Sequence, residues 1–389
     1  SALTGCAVFR LLLRFGLSQV VALCFALLYA LGTIAFPFST VLFSHQLAAS
    51  FLFLGFFLLC ERKQPWQVVA AGFLLGFAPV LEYPAALGTV IIGLYGLTRL
   101  RGRWFLLFLG SVIAAGTFLL FYTWTAFLRL LFVSYEAYKK PGSVFAGHSR
   151  GFAGVSWPQA SILWEITFGR QRGLFYVNPW LVLILPALIT LRERIWRREL
   201  IVCFAMVVAF FAFNSGFGDS IVYWGGAWSI GPRHLVPILP FMTVPIALLC
   251  RRRWFAVAAA VLGSVSLLAM FSATAITPRV PYEAADPFLF YLRQLHLGRI
   301  SLNAGGICAN RFVPGYSFNL GQLLGLPGRA QLLPLALLWA TAIPWLFWKA
   351  RPSAPSRAPR TAPFYCSGAI LCPGLLLILW HVAQPFPSG

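Results

Sequence analysis

Acidic residues are scarce in this sequence. Asp and Glu number 9 against 30 Lys and Arg, and charged residues make up only 10% of the 389 positions. A soluble domain carries about 25% charged residues, so this composition excludes a string of soluble domains. Because 60% of the residues are hydrophobic and the mean hydropathy is +0.81, the chain is predicted to be one polytopic membrane protein.

The motifs of many soluble enzymes are also missing. There is no GxSxG, HExxH, P-loop or EF-hand spacing, so phosphoryl transfer from a nucleotide and zinc hydrolysis have no support. The 8 Cys show no CxxC and no Cys/His metal spacing, and they are predicted to be small packing residues. No metal ligand is therefore assigned. The cofactor stays unknown, with a divalent metal among the options.

Long apolar runs are abundant by contrast. A membrane-spanning helix needs roughly 20 mostly apolar residues. This rule predicts an all-α polytopic membrane protein with about 11 spans, within a range of 9 to 13, and long irregular loops. The predicted spans are residues 16–36, 45–60, 66–81, 85–98, 104–128, 178–191, 200–213, 235–250, 254–276, 331–348 and 366–384.

The net charge of +21 raises the question of whether the protein binds nucleic acid. The basic residues sit in short clusters at every second junction between spans, which is how topology signals are placed, so nucleic acid is not predicted as a partner. The clustered junctions are predicted to be cytoplasmic in a bacterial inner membrane. Loops 129–177, 214–234 and 277–330 are then periplasmic, and residues 156–166 are predicted to include a short helix on the membrane surface.

Three regions follow from this layout. Residues 1–276 are predicted to form the transmembrane core. Residues 277–330 are predicted to fold as an irregular periplasmic cap. Residues 331–389 would hold the last spans, joined by the Pro/Arg-rich cytoplasmic linker 350–363, which is predicted to be extended.

The loop from Asn214 to His234 is unusual for a connector between spans because it is dense in glycine and aromatic residues. Glycine allows close backbone approach to a ligand, and tryptophan offers an apolar platform with a polar edge. The loop is predicted to help bind an anionic, lipid-linked group. Its candidate site residues are Asp219, Trp224, Trp228, Arg233 and His234.

Each ionisable candidate has two readings. Glu82, at the outer end of a span, is either an interfacial carboxylate or a ligand for an acceptor hydroxyl, a metal or a catalytic base. Asp219 either makes a local turn or acts in catalysis. Arg233 either reaches lipid headgroups or binds a phosphate through its planar guanidinium, and His234 either donates to the same oxygens or caps the helix. His45 is predicted to pack against a neighbour rather than to act in catalysis.

Several short motifs recur in one order in a known group of enzymes. They are Gly32-Thr33 with Phe36-Pro37-Phe38-Ser39, Glu82-Tyr83-Pro84, Arg172-Gly173-Leu174-Phe175-Tyr176 with Asn178-Pro179, and Trp224-Gly225-Gly226 through Gly231-Pro232-Arg233-His234. Over most of residues 16–250 the chain resembles bacterial membrane glycosyltransferases of the C-type (GT-C) fold. This class includes protein O-mannosyltransferases and the lipid A aminoarabinose transferase.

The resemblance implies an inverting transfer of a sugar from a polyprenyl-phosphate donor to a lipid, glycan or protein hydroxyl at the periplasmic face. Membrane lipids and the lipid-linked sugar are the implied partners. An acid, here Glu82 or Asp219, would take the acceptor proton. The residues implied in donor-phosphate binding are Arg233, His234, Arg172 and Arg170, and those implied in sugar or lipid binding are Trp224, Trp228, Tyr83 and Tyr176.

The chain departs from this class at its beginning. The main catalytic acid of the class lies in the first outer loop, whereas no acid precedes Glu61 here. We therefore expect either that an N-terminal part is missing or that activity is lost or altered. The alternative functions are a transporter or lipid flippase, and a catalytically inactive accessory subunit. The sequence specifies neither the sugar, the acceptor nor the oligomeric state.

Overall fold

The computed structural model describes residues 1–41, 43–130, 154–218, 221–226, 229–281, 284–300 and 319–350. Within these ranges the chain is helical, with one isolated β-bridge between Val155 and Phe217. Asp219 and Trp228, part of the predicted cap, nearly all of the predicted linker 350–363 and the predicted span 366–384 lie outside the described residues. The described residues confirm an all-α protein.

The first 130 residues form seven helices, which are α1 (Ala2–Arg14), α2 (Gln19–Leu31), α3 (Ala35–Ser39), α4 (Ser44–Glu61), α5 (Pro65–Leu81), α6 (Ala85–Arg99) and α7 (Arg103–Phe127). From residue 154 follow α8 (Ala160–Thr167), α9 (Leu174–Val177), α10 (Ile184–Ala187), α11 (Arg197–Ser215), α12 (Leu239–Leu249), α13 (Arg253–Ile276), α14 (Pro287–His296), α15 (Leu320–Leu323) and α16 (Leu333–Lys349). Short 3₁₀ turns cover Pro179–Leu183, Leu188–Arg192, Arg233–Ile238 and Gly328–Leu332.

Five helical segments are long and apolar enough to cross a membrane, namely Ser44–Glu61, Arg103–Phe127, Arg197–Ser215, Arg253–Ile276 and Gly328–Lys349. Five shorter apolar segments lie at other predicted spans, namely Gln19–Leu31, Pro65–Leu81, Ala85–Arg99, Pro179–Arg192 and Arg233–Leu249. Apolar helices of this kind are compatible with a multi-pass membrane protein. The larger number of 11 crossings stays a prediction.

Helix α1 is an element that the span rule did not predict. Its 13 residues are too few for a span of roughly 20 residues, and they include Arg10 and Arg14. Its buried face nevertheless packs on α2, and the Thr4 hydroxyl donates to the Ser50 hydroxyl of α4 at 2.9 Å. Tertiary packing therefore stabilises a helix that length and hydropathy leave out.

Contacts between helix ends sort the junctions into two groups. At one end Arg14 pairs with Glu61 at 3.5 Å, and Arg251 pairs with Glu193 at 3.4 Å. These residues belong to the basic junctions, and we call this the arginine-rich end. The opposite end, which we call the far end, holds the last residues of α2, α5 and α11 and the first residues of α4.

Helix α5 packs closely against α7 because two glycines lie four residues apart on its contact face. A methyl group on Gly72 would come within 2.5 Å of the carbonyl oxygen of Phe108, and one on Gly76 would overlap the carbonyl oxygen of Val112. Small residues at this spacing allow two helix backbones to approach in a membrane.

We expect Gly76→Ala to lower the free energy of unfolding by about 1–3 kcal/mol, since the added methyl group must push α7 away. Thermal unfolding in detergent micelles measures the effect. Gly110→Ala is the matched control, because a methyl group on Gly110 of α7 meets no atom within 4 Å. If the two variants are equally stable, the close packing of α5 on α7 is wrong.

Candidate functional site

Two of the sequence motifs meet at the far end and fix the chain that leaves α2. The side-chain amide of Asn178 donates to the carbonyl of Gly32 at 3.1 Å, and its oxygen accepts from the backbone N–H of Ile34 at 3.2 Å. The indole of Trp180 donates to the same Gly32 carbonyl at 3.1 Å. Asn178 and Trp180 are fully buried. These contacts end α2 at Leu31, five residues before the predicted end of that span at residue 36.

The loop after α11 is held against the segment that precedes α8. The backbone N–H of Ser156 donates to the carbonyl of Gly216 at 2.8 Å, and that of Gly218 donates to Gly154 at 2.8 Å. A short helix is present in this segment as α8, although it begins at Ala160 rather than at Ser156, and its position on the membrane surface stays a prediction. Trp157, which precedes α8, is 90% exposed.

Gly225 and Gly226 bring two predicted site arginines to one place. A methyl group on Gly225 would lie 3.2 Å from Cγ of Arg172, and one on Gly226 would lie 2.8 Å from Cγ of Arg233. Gly226 also has φ +72°, a backbone conformation that favours glycine. The two arginine side chains therefore pack against consecutive glycines. The close approach that these glycines permit is made by the two arginine side chains.

The two arginines differ in what their guanidinium groups contact. Arg172 is 0% exposed, and it donates to its neighbour's carbonyl at Gln171 (2.7 Å) and to the carbonyl of Pro281 (3.1 Å). It ties the loop after α8 to the chain that follows α13. Arg233 is only half-buried. Of the two, Arg233 is the one with an exposed part that an incoming anion could reach.

Arg233 shares an aromatic ring with a second cation that was not among the predicted site residues. The guanidinium carbon of Arg233 lies 5.6 Å from the ring centroid of Phe43, and that of Arg279 lies 5.2 Å from it. Both distances fit cation–π contact. Arg279 is half-buried, like Arg233. Two guanidinium groups from the ends of separate loops thus meet at the start of α4.

Glu82, directly after α5, accepts hydrogen bonds from two adjacent residues of α4. The Ser44 hydroxyl donates to its Oε1, and Nδ1 of His45 lies 3.0 Å from the same oxygen. Burial alone would raise the pKa of Glu82, but the hydrogen bond and charge of His45, the Ser44 bond and the charge of Arg233 outweigh it and lower the pKa. Glu82 is therefore an ionised carboxylate at neutral pH.

His45 and His234 form one buried aromatic group with Phe217. The two imidazole rings lie 5.1 Å apart edge to face, and the ring of Phe217 lies 5.3 Å from that of His234. Both histidines are less than 10% exposed. His45 thus packs against neighbouring rings, while the part of its prediction that sets catalysis aside stays untested. The hydrogen bond to Glu82 adds a polar contact that the sequence did not indicate.

Arg170 and Tyr176 belong to a separate group at the start of α14. Asp286 accepts from Nε of Arg170 and from the Tyr176 hydroxyl, both at 2.8 Å, and it caps α14 by accepting from the backbone N–H of Leu289 at 3.0 Å. Burial acts to raise the pKa of Asp286, and these three bonds lower it overall. Arg170 is directed to Asp286 here, whereas Arg233 lies on Gly226 and Phe43.

The remaining predicted site residues are Trp224, Tyr83, Asp219 and Trp228. Trp224 is 9% exposed, and its carbonyl accepts from the Asn214 side chain at 3.0 Å. Tyr83 is half-buried beside Glu82. Asp219 and Trp228 lie outside the described residues.

Metal binding finds no support in the part of the chain that the structure describes, where no three His, Cys, Asp or Glu residues are grouped to hold an ion. Two described carboxylates of the far end, Glu82 and Asp286, are held by hydrogen bonds from protein groups. Comparisons with protein-family models, with curated proteins and with solved structures find no match for this chain.

Proposed function

We propose that this protein is a membrane glycosyltransferase that moves a sugar from a polyprenyl-phosphate donor to a lipid, glycan or protein hydroxyl. Its site would be the far end of the helices, facing the periplasm of a bacterial inner membrane. One observation carries the proposal. An ionised carboxylate, an imidazole and two arginines meet at the start of α4, in Glu82, His45, Arg233 and Arg279.

The two arginines supply the anion-binding half of the site. A guanidinium binds phosphate oxygens through charge-assisted hydrogen bonds, often two at a time. Arg233 and Arg279 are both half-buried on the ring of Phe43, so a phosphate bound between them would replace part of their hydration. The apolar helices around the site would hold the prenyl chain.

His45 and Glu82 supply the proton-accepting half. Nδ1 of His45 lies 3.0 Å from Oε1 of Glu82, so in the neutral imidazole Nδ1–H would donate to Glu82 and Nε2 would be the nitrogen that takes a proton. In the reaction, the acceptor oxygen forms a bond to the anomeric carbon while the bond from that carbon to the phosphate oxygen breaks. The acceptor proton goes to Nε2, Glu82 stabilises the resulting imidazolium, and the polyprenyl phosphate leaves between the two arginines. Attack opposite the leaving phosphate inverts the anomeric centre.

The placement of charge favours this reading over a transporter. A transporter binds its substrate near the middle of the membrane, at interrupted helices lined by ionisable groups. In the long apolar helices α4, α7, α11 and α13, the charged residues are confined to the first or last turn. The polar groups of the proposed site lie beyond the ends of these helices, at the far end.

We expect Arg233→Ala to weaken binding of a short-chain polyprenyl phosphate by at least about tenfold, because a charge-assisted hydrogen bond is worth about 1.5–3 kcal/mol. Displacement of a fluorescent polyprenyl phosphate from the detergent-solubilised protein measures the affinity. Arg233→Lys should recover only part of it, since the planar fork is lost.

Arg293→Ala is the matched control for this measurement. Arg293 is an exposed arginine of α14, so its removal changes the net charge by the same amount. Unchanged affinity in Arg233→Ala would remove Arg233 from the donor site. Equal losses in both variants would indicate a general effect of surface charge.

A further inference from the structure

A polar cavity lies at the arginine-rich end, away from the proposed transferase site. Its volume is about 390 Å³, within the range of about 300–1,000 Å³ that is typical of small-ligand pockets. The ends of α1, α4, α6 and α11 meet around it. The lining residues are Arg14, Cys60, Glu61, Arg62, Thr98, Arg99 and Arg198.

The described carboxylates near this cavity already have partners. Glu61 lies 3.5 Å from Arg14. Glu199 is buried behind the cavity, accepts from the Tyr95 hydroxyl at 2.8 Å and lies 4.0 Å from Arg99. Each of these carboxylates therefore offsets the charge of one arginine.

Two further guanidinium groups line the cavity without a carboxylate. Arg62 donates to the backbone carbonyl of Arg99, which carries no charge. Within the described part of the chain, neither Arg62 nor Arg198 has an acidic side chain within 4.0 Å. Both are exposed at the cavity, so it carries an excess of positive charge that an anion would balance.

A second cavity continues from the first along helix α1. It has a volume of about 850 Å³ and shares Arg14 and Glu61 with the first. Its other lining residues are Cys6, Phe9, Arg10, Leu13 and Lys63. Cys6, Phe9 and Leu13 are spaced i, i+3 and i+7, so they form an apolar stripe on one face of α1. An apolar stripe thus leads directly into a cationic cavity.

We propose that these joined cavities bind an acidic glycerophospholipid. Its headgroup phosphate would lie among Arg14, Arg62 and Arg198, and one acyl chain would lie along the stripe of Cys6, Phe9 and Leu13. Basic pockets between the ends of membrane helices suit anionic headgroups. The stripe adds an apolar surface that an acyl chain can contact, and a free phosphate ion has no such chain. The binding site is independent of the transferase site at the far end.

Thermal unfolding of the delipidated full chain in neutral detergent tests the proposal, because a ligand of the folded state raises Tm with its concentration. Dioleoyl phosphatidylglycerol, dioleoyl phosphatidylcholine and inorganic phosphate are titrated separately. We expect a saturable rise with phosphatidylglycerol only. The Arg62→Gln/Arg198→Gln variant should raise the apparent Kd for phosphatidylglycerol by at least about tenfold, because at least one charge-assisted contact is lost.

The Arg101→Gln/Arg252→Gln variant is the control. It removes the same charge from exposed residues of the same end that do not line the first cavity. Phe9→Gln, which alters only the stripe, should also weaken the binding of phosphatidylglycerol. Equal weakening in the control, or equal binding of phosphatidylcholine, overturns the proposal. A saturable rise with inorganic phosphate that matches phosphatidylglycerol, and that Phe9→Gln leaves unchanged, would show a site for the free ion and overturn the lipid assignment.

Discussion

Replacing His45 by Gln is expected to lower sugar transfer by about 10²–10⁴-fold, the usual contribution of a positioned general base. The imidazole is the group that can take the acceptor proton, and an amide cannot. Glu82→Gln should act in the same direction with a smaller effect, because the amide oxygen still accepts from Nδ1–H while the charge that stabilises the imidazolium is lost. Transfer of labelled sugar from a panel of polyprenyl-phosphate donors to membrane extract measures turnover.

Glu193→Gln is the control for the loss of a carboxylate. Glu193 pairs with Arg251 at the arginine-rich end, at 3.4 Å. It should therefore leave transfer unchanged. Each variant is also checked for its Tm, since His45 is buried and contacts the ring of His234. A His45→Gln protein that folds normally and transfers sugar at the original rate would contradict the proposed role of His45.

The positions of the helices could be predicted well wherever a long apolar run met a basic cluster. The predicted spans 45–60 and 254–276 differ by a residue at most from the observed Ser44–Glu61 and Arg253–Ile276. Such runs are governed by composition alone, because a helix in lipid must be both long and apolar.

Errors occurred where contacts between distant residues decide the outcome. Helix α2 stops at Leu31 because Asn178 and Trp180 take the carbonyl of Gly32. Helix α1 is held by packing although it is short and contains Arg10. Neither fact is visible in a local window of sequence.

The candidate site was predictable only in part for the same reason. The sequence indicated Glu82 and Arg233, because charged residues are few at the ends of the predicted spans that lie opposite the basic clusters. It did not indicate Arg279 or the pairing of His45 with Glu82, which depend on how the loops meet. Nor did it indicate that the side chains of Arg172 and Arg233 pack against Gly225 and Gly226.

For Arg172 the sequence and the structure predict different roles, which one substitution can distinguish. As a donor-phosphate ligand it would be needed for binding. In the structure it is fully buried and donates to the carbonyls of Gln171 and Pro281. We expect Arg172→Ala to lower the free energy of unfolding by about 3–5 kcal/mol, because it leaves a cavity beside Gly225 and two carbonyls without their charged donor.

Arg170→Ala is the matched control for this change, two residues away. Its side chain is 66% exposed and pairs with Asp286 in water, so its loss should lower the free energy of unfolding far less than the loss of Arg172 does. Thermal unfolding and polyprenyl-phosphate displacement are measured on both variants. If Arg172→Ala keeps the original Tm but loses donor binding, the guanidinium must turn from its carbonyl partners toward the donor, and the role that the sequence alone indicates for Arg172 is the correct one.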